Sequence, residues 1–258
     1  MDGKNIRKNT KLRELSLHNT SMGEGIFERE DMENFLRGIS CNKSIRKLSF
    51  HRAVLYGGDI FNMLVPFFKT NQNFESLEIS EGCFEPGDHS MLISALSEFS
   101  SLKELMLDGF GVQFEVEQAI VEIITALSGH LDFRSLHFRG IDIGQKGCTA
   151  LANFLQNPKS KLIALDLSSS FLISDEDADI LASGLTGNST LKDINLGGDS
   201  QLTRKGWQTI FAAMQTSGCL ENISLRRATY SSNDCLGVSL VKCLSKSTQL
   251  KSLNLSNE

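Results

Sequence analysis

The sequence predicts an α/β solenoid, with short parallel strands along one side and α-helices along the other. Three observations lead there. First, the pattern L-x-x-L-x-L recurs nine times, beginning at Leu12, Ile45, Phe74, Leu102, Phe133, Leu162, Leu191, Leu220 and Leu250. Second, successive starts lie 28 to 33 residues apart, and self-similarity at a fixed period in this range marks a repeat architecture. Third, each of the first eight strand patterns is followed by an i, i+4 apolar pair among polar residues, the stripe of a short amphipathic helix.

Within each unit the elements follow one order. The strand comes first, centred on pairs such as Leu15/Leu17, Leu48/Phe50, Leu165/Leu167 and Leu253/Leu255. About ten residues after the strand start stands a loop anchor: Met22, Leu55, Phe84, Val112, Ile143, Leu172, Leu202 or Tyr230. The helix follows, with pairs Phe35/Ile39, Leu64/Phe68, Leu92/Leu96, Ile123/Leu127, Leu151/Leu155, Leu181/Leu185, Ile210/Met214 and Leu240/Leu244. One helix start is legible in detail. Ser174 precedes Asp175, Glu176 and Asp177, so its hydroxyl is placed to accept a backbone hydrogen bond while the acids meet the positive end of the helix dipole. Trp207, beside Gly206 with Ile210 and Phe211 following, reads as packing.

A unit of this kind cannot bury its own apolar face, so the units must stack into one core. The chain therefore reads as a single domain, 1–258, of about eight and a half repeats. Composition agrees: 258 residues, 40% hydrophobic and 22% charged, describe a globular chain. A net charge of −5 argues against nonspecific nucleic-acid or anionic-membrane binding. The N-terminus lacks an apolar signal region, and no stretch reaches the roughly 20 apolar residues of a membrane span. The expected place is cytoplasmic or nuclear. Cys41, Cys83, Cys148, Cys219, Cys235 and Cys243 are scattered without a C-x-x-C, which reads as buried thiols in a reducing compartment. Sequons at Asn19, Asn42, Asn188, Asn222 and Asn254 are expected to be chemically available but unused. After Leu255 no capping segment follows. Two readings of that end are open: a fragment of a longer array, or end-to-end self-association through the uncapped C-terminal strand.

Units of this length, with helices of the form Gly147-x-x-x-Leu151-Ala152-x-x-Leu155 and Asp177-x-x-x-Leu181-Ala182-x-x-Leu185, resemble ribonuclease-inhibitor-type leucine-rich repeats. The resemblance implies a horseshoe, with the parallel sheet on its concave face and helices on its convex face. It also implies a protein-binding role, since members of that family are mostly binding modules. The chain departs from the family at the ninth repeat position, usually Asn or Cys. Here it holds Thr20, Ala53, Gly82, Phe110, Ile141, Ser170, Asp199 and Ala228.

Alternation along the strands puts repeat positions three, five and seven on the concave face. A basic patch of His18, Lys47, His51 and Arg52 is followed by an acidic band of Glu78, Glu81, Glu104 and Asp108. His137 with Arg139 and then Arg226 with Arg227 complete the charged positions. The fold and this segmentation support a non-catalytic scaffold that binds another protein, with no cofactor, metal, nucleic acid or membrane. Charge reversal at Glu78 and Asp108 is expected to weaken such binding without lowering stability. His18 and His51, on adjacent strands, lack a third metal ligand. His137, Asp166 and Ser168 form a triad in composition only, on a face expected to lack an oxyanion hole. Two further readings are a GTPase activator resembling the Ran-type family, in which Arg52 would be the activating residue, and a detached sensor segment of an immune or ubiquitin-ligase receptor.

Overall fold

The computed structural model describes residues 3–18, 29–51, 59–80, 88–98, 101–109, 116–169, 174–198, 202–227 and 236–256. Backbone proximity divides the chain into two compact units, Met1–Phe114 and Glu115–Glu258.

The first unit contains α1 (Gly3–Lys8), β1 (Glu14–His18), α2 (Arg29–Ser40), β2 (Lys47–His51), α3 (Asp59–Thr70), β3 (Ser76–Ser80), α4 (Asp88–Glu98) and β4 (Glu104–Asp108). Its strands pair in parallel and in sequence order, with equivalent repeat positions side by side: Leu15 on Leu48 on Leu77 on Leu105. The second unit contains α5 (Val116–Leu127), β5 (Ser135–Arg139), α6 (Gly144–Gln156), β6 (Ala164–Asp166), α7 (Asp175–Leu185), β7 (Asp193–Asn195), α8 (Arg204–Ser217), β8 (Asn222–Ser224), α9 (Leu236–Leu244) and β9 (Ser252–Asn254). Here Leu136, Leu165, Ile194, Ile223 and Leu253 form the corresponding row. Alternating strand and helix with a parallel sheet is the leucine-rich-repeat solenoid expected from the period.

The anchors do what their spacing requires. Ile45, Leu48, Phe50, Phe74, Leu77 and Ile79 are fully buried, as are Leu136, Phe138 and Leu162. Of the helical pairs, Phe35/Ile39 through Ile210/Met214 are all buried. Each such side chain contributes roughly 1.5–3 kcal/mol of transfer free energy. Of the loop anchors, Ile143 and Leu202 are buried, while the remaining six lie outside the described residues. Trp207 is completely buried and stacks on Phe211 at 5.5 Å. The last repeat departs from the pattern. Leu240, Leu244, Leu250 and Leu253 are only half-buried and Leu255 is 45% exposed, since β9 pairs on one side only among the described residues.

Helices approach closely where side chains are small. A Cβ added to Gly184 of α7 would stand 2.5 Å from Ala152 Cα of α6, so only glycine permits that spacing. Carboxylates then tie neighbouring helix starts together. Ser174 and Asp177 form the reciprocal cap of α7, while Asp175 accepts from the backbone and hydroxyl of Thr203 at the start of α8. Glu117 of α5 accepts from Lys146 N–H at the start of α6. Each bond occupies a helix-terminal group that has no partner within its own helix.

A second ladder runs through the helix-to-strand turns. Asn42 Oδ1 accepts from Ser44 and Ile45 N–H, and its Nδ2 donates to Ile6 and Asn9 carbonyls in the preceding repeat. Asn188 repeats the arrangement, accepting from Thr190 and Leu191 and donating to Leu155 O at 2.8 Å. Asn71 donates to Ile45 O. The Cys219 thiol joins in, donating to Asn188 and Leu191 carbonyls. Two sequence expectations change as a result. Asn42 and Asn188 are 0% and 7% exposed with their amide nitrogens engaged, so these sequons are not available in the folded chain. Cys148 and Cys243 are buried as expected, and burial pushes the Cys148 thiol up to about 12. Cys41, by contrast, is exposed at the end of α2. Cys83 and Cys235 fall outside the described residues.

Replacing Asn188 with Ala strands two backbone donors and a buried carbonyl. Urea denaturation is expected to show a loss of about 1–3 kcal/mol, and a loss under about 0.5 kcal/mol would show the side chain to be dispensable.

Candidate functional site

With the helices covering one side of each sheet, repeat positions three, five and seven remain on the other. In the first unit that side is knitted by ion pairs. Lys47 Nζ lies 3.0 Å from Glu78 Oε2, which also accepts from Ser49 Oγ at 3.0 Å. His51 Nε2 lies 3.7 Å from Glu78 Oε1, and its Nδ1 is 2.7 Å from Ser80 Oγ. The rings of His18 and His51 stack at 4.4 Å, 14° from parallel. Glu104 accepts from Ser76 Oγ at 2.8 Å, and Asp108 closes β4. Burial pushes the Glu78 carboxyl up, but Lys47, Ser49 and His51 outweigh it and hold the group below its ordinary range.

These distances correct two expectations. The basic patch and acidic band are not separate zones: Lys47 and His51 meet Glu78 diagonally across β2 and β3, and the charges cancel locally. Reversal at Glu78 would break that cluster and place a cation beside Lys47, so it would disturb stability as well as binding. Arg52 and Glu81 lie outside the described residues. Among the described residues no group of three His, Cys, Asp or Glu side chains can hold a metal ion.

In the second unit the carboxylate of Asp166, 4% exposed, is the electrostatic centre. Arg139 Nε donates to it at 2.7 Å, Ser168 N–H at 2.9 Å, and His137 Nδ1 lies 3.6 Å away. Burial raises the carboxyl, and His137, Ser168 and Arg139 together pull it well below the usual range. His137 Nε2 is in turn 2.8 Å from Ser135 Oγ. The order serine–histidine–aspartate is that of a nucleophilic relay, with Ser135 where sequence reasoning placed Ser168. The geometry does not sustain it. A separation of 3.6 Å is too long for a hydrogen bond, and Asp166 already balances a permanent guanidinium cation.

Asp166 also ends its strand. Its Oδ1 accepts the N–H two residues on, and Asn195 and Asn254 do the same with Gly197 and Ser256. Such side chains offer the backbone an alternative to the ladder. The three strands that carry them, β6, β7 and β9, span three residues, against five in β1 to β5. β8 has Ser224 at that place and is equally short, flanked on both sides by strands of this type.

A shallow groove of about 320 Å³ opens on this side over β5 to β9. Its polar lining includes Asp193, Asn195, Asn222, Ser224 and Asn254. Sequence reasoning passed over this row as small and polar. The signal was present: Asp166-Leu-Ser, Asn195-Leu-Gly and Asn254-Leu-Ser repeat one short motif. Along the strand starts, Glu221 takes Lys192 at 2.7 Å and Lys251 at 2.5 Å, and these two pull its carboxyl down to about 2.

Arg226 and Arg227 stand exposed at the end of β8. Arg227 has φ +54°, a left-handed conformation that equivalent positions give to Gly109, Gly140 and Gly198, with Ser169 the other exception. Arginine holds that conformation at a cost of about 1–2 kcal/mol.

No family model matches the chain. The Dictyostelium discoideum protein CARMIL is 28% identical over 125 residues, covering 48% of this chain and 12% of that protein. Among solved structures, leiomodin-1 actin-binding site 2 aligns with 67% of this chain and 82% of its own at 15% identity and TM-score 0.41. The tropomodulin C-terminal domain of Caenorhabditis elegans aligns with 96% and 93% at 8% identity and TM-score 0.27. TLR13 in complex with ssRNA13 aligns with 97% and 36% at 12% identity and TM-score 0.42. None of these similarities assigns an activity.

Two measurements test the site. Arg227→Gly is expected to raise stability by about 1 kcal/mol, seen as a higher thermal midpoint; a lower one would show that the side chain outweighs its backbone cost. Asp166 has a lowered folded pKa, so its contribution is present above the unfolded value of about 3.9 and lost as pH falls through the folded value. The stability difference between wild type and Asp166→Asn should therefore shrink between pH 6 and pH 3, and a constant difference would refute the assignment.

Proposed function

We propose that this chain is a non-catalytic scaffold whose open sheet side binds another protein. The observation that carries the reading is the division of side chains. One side of every sheet is closed by helices, and the other presents ordered, hydrogen-bonded polar groups with a groove at repeat spacing. Solenoid sheet sides of this kind serve as extended binding surfaces. The ion-paired clusters at Glu78 and Asp166 fix the orientation of the side chains that border the surface. His137, the one imidazole beside a carboxylate in the second unit's site, is set for structure rather than proton transfer. The ribonuclease-inhibitor type of repeat and a cytoplasmic or nuclear place belong to the same reading. The repeat type is supported by unit length and by the α-helix between successive strands.

Steric plugs test it. Ser16→Trp in the first unit and Ser224→Trp in the second each place a bulky group on the sheet side. Thr149→Trp on the exposed side of α6 serves as control. With thermal midpoints checked, affinity capture from lysate should recover a partner with wild type and the control and lose it, by about tenfold or more, with at least one sheet plug. Capture that survives both sheet plugs but not Thr149→Trp would move the binding surface to the helices.

A further inference from the structure

The turns that lead into the strands carry a charge opposite in sign to that of the chain. In the second unit the backbone at repeat position two is hydrogen-bonded from strand to strand. Ile163, Lys192, Glu221 and Lys251 N–H donate in turn to the carbonyls of Arg134, Ile163, Lys192 and Glu221. At about 4.8 Å per step, Arg134, Lys192 and Lys251 therefore share one row roughly 19 Å long. The same turns add Lys159 and Lys161 before β6 and Lys246 before β9, all exposed. Against these six cations stand two carboxylates, Asp132 and Glu221.

Each carboxylate is already shared. Asp132 takes Arg134 at 3.4 Å and Lys161 at 3.0 Å, while Glu221 takes Lys192 and Lys251. Two cations on one carboxylate leave a positive charge over at each place. Lys159 and Lys246 make no ion pair among the described residues. Joining neighbouring turns needs one cation per carboxylate, so the surplus adds self-repulsion without adding a bond. The first unit, taken by itself, repeats the arrangement: Arg13, Arg46, Glu75 and Lys103 form its row, and Glu75 takes Arg46 at 3.8 Å and Lys103 at 2.8 Å. An apolar group joins the second unit's cations. Leu131, next to Asp132 in the turn before β5, is 70% exposed, the highest value among the described large apolar side chains.

The charge selects the occupant. Amines in register attract carboxylates within a Debye length of about 8 Å. A bilayer or a nucleic acid extends well beyond these turns and also meets the acidic remainder of a chain whose net charge is −5. A short acidic segment meets the cations alone, and an apolar residue within it can cover Leu131.

We infer that the strand-entry turns of the second unit form a docking rim for an acidic segment of a partner protein. Lys159, Lys161, Lys192 and Lys246 attract its carboxylates, and Leu131 takes an apolar side chain. The rim is a second surface, apart from the open sheet side.

The test titrates the isotope-labelled full chain with the capped peptide Gly-Glu-Glu-Leu-Glu-Glu-Gly and with its glutamine counterpart, following backbone amides by NMR. The glutamate peptide should shift the amides of Lys159, Lys161 and Lys192 and bind at least about fivefold more tightly than the glutamine peptide. Its affinity should fall as salt rises to about 0.15 M. Lys159→Glu combined with Lys246→Glu should weaken it by about fivefold or more with the thermal midpoint unchanged. Leu131→Ser should weaken it as well, and Ser224→Trp on the sheet side should leave it unchanged. Equal response to the two peptides, or affinity that survives the double reversal or Leu131→Ser, would overturn the proposal. So would phosphatidylserine vesicles or a short single-stranded DNA that bind more tightly than the glutamate peptide and are lost in the same variants, since the rim would then serve lipid or nucleic acid. Loss of the glutamate peptide in Ser224→Trp would place its contact on the sheet side and end the rim as a separate surface.

Discussion

Every part of this molecule depends on equivalent residues standing side by side in successive repeats. A leucine at the fourth strand position meets leucine or isoleucine at the same position in the next strand, and the helical pairs meet helical pairs. Side chains interlock only if the backbone between them keeps the same height in each turn. Buried asparagines and partly exposed carboxylates maintain that height. Asn42 and Asn188 hold the turn before each strand to the carbonyls of the repeat behind, and Glu117 and Asp175 hold one helix start to the next. Apolar burial supplies most of the free energy, whereas these hydrogen bonds select one stacking among several that would bury similar area.

The sheet side inherits its order from the same constraint. Fixed register turns each repeat position into a column, so an interaction at one strand is offered again at the next, and neighbours settle their charges across the gap. Glu78 gathers Lys47 and His51; Asp166 gathers Arg139; Glu221 gathers Lys192 and Lys251. What remains among the described residues after these pairings is a largely polar surface. Recognition on such a surface depends more on placed hydrogen-bond groups than on a broad field.

The period made strands, helices and the apolar core legible in the sequence, down to the Ser174 cap. Register and burial at Leu48, Leu77, Leu165 and Ile194 followed from counting alone. The charged side chains were located but misgrouped, because a list of columns does not show diagonal reach: Lys47 bonds Glu78, not the residue directly beside it. The asparagine ladder was missed although Asn9, Asn42, Asn71 and Asn188 each stand three residues before a strand start. As N-x-S/T matches, Asn42 and Asn188 drew a surface explanation, while their actual role needed the turn geometry. Cys41 shows the reverse error, an exposed residue inferred to be buried from its type.

The distance from one strand start to the next is uneven, 28 residues from Phe74 to Leu102 and 33 from Leu12 to Ile45. Strand rows stay aligned across that variation. Length changes are thus absorbed on the far side of each strand, where they do not alter pairing. Insertions in those connections can lengthen the border of the sheet without displacing a single buried leucine. A repeat architecture of this kind is free to diversify what it recognises at its margin while its interior remains under the strictest geometric control.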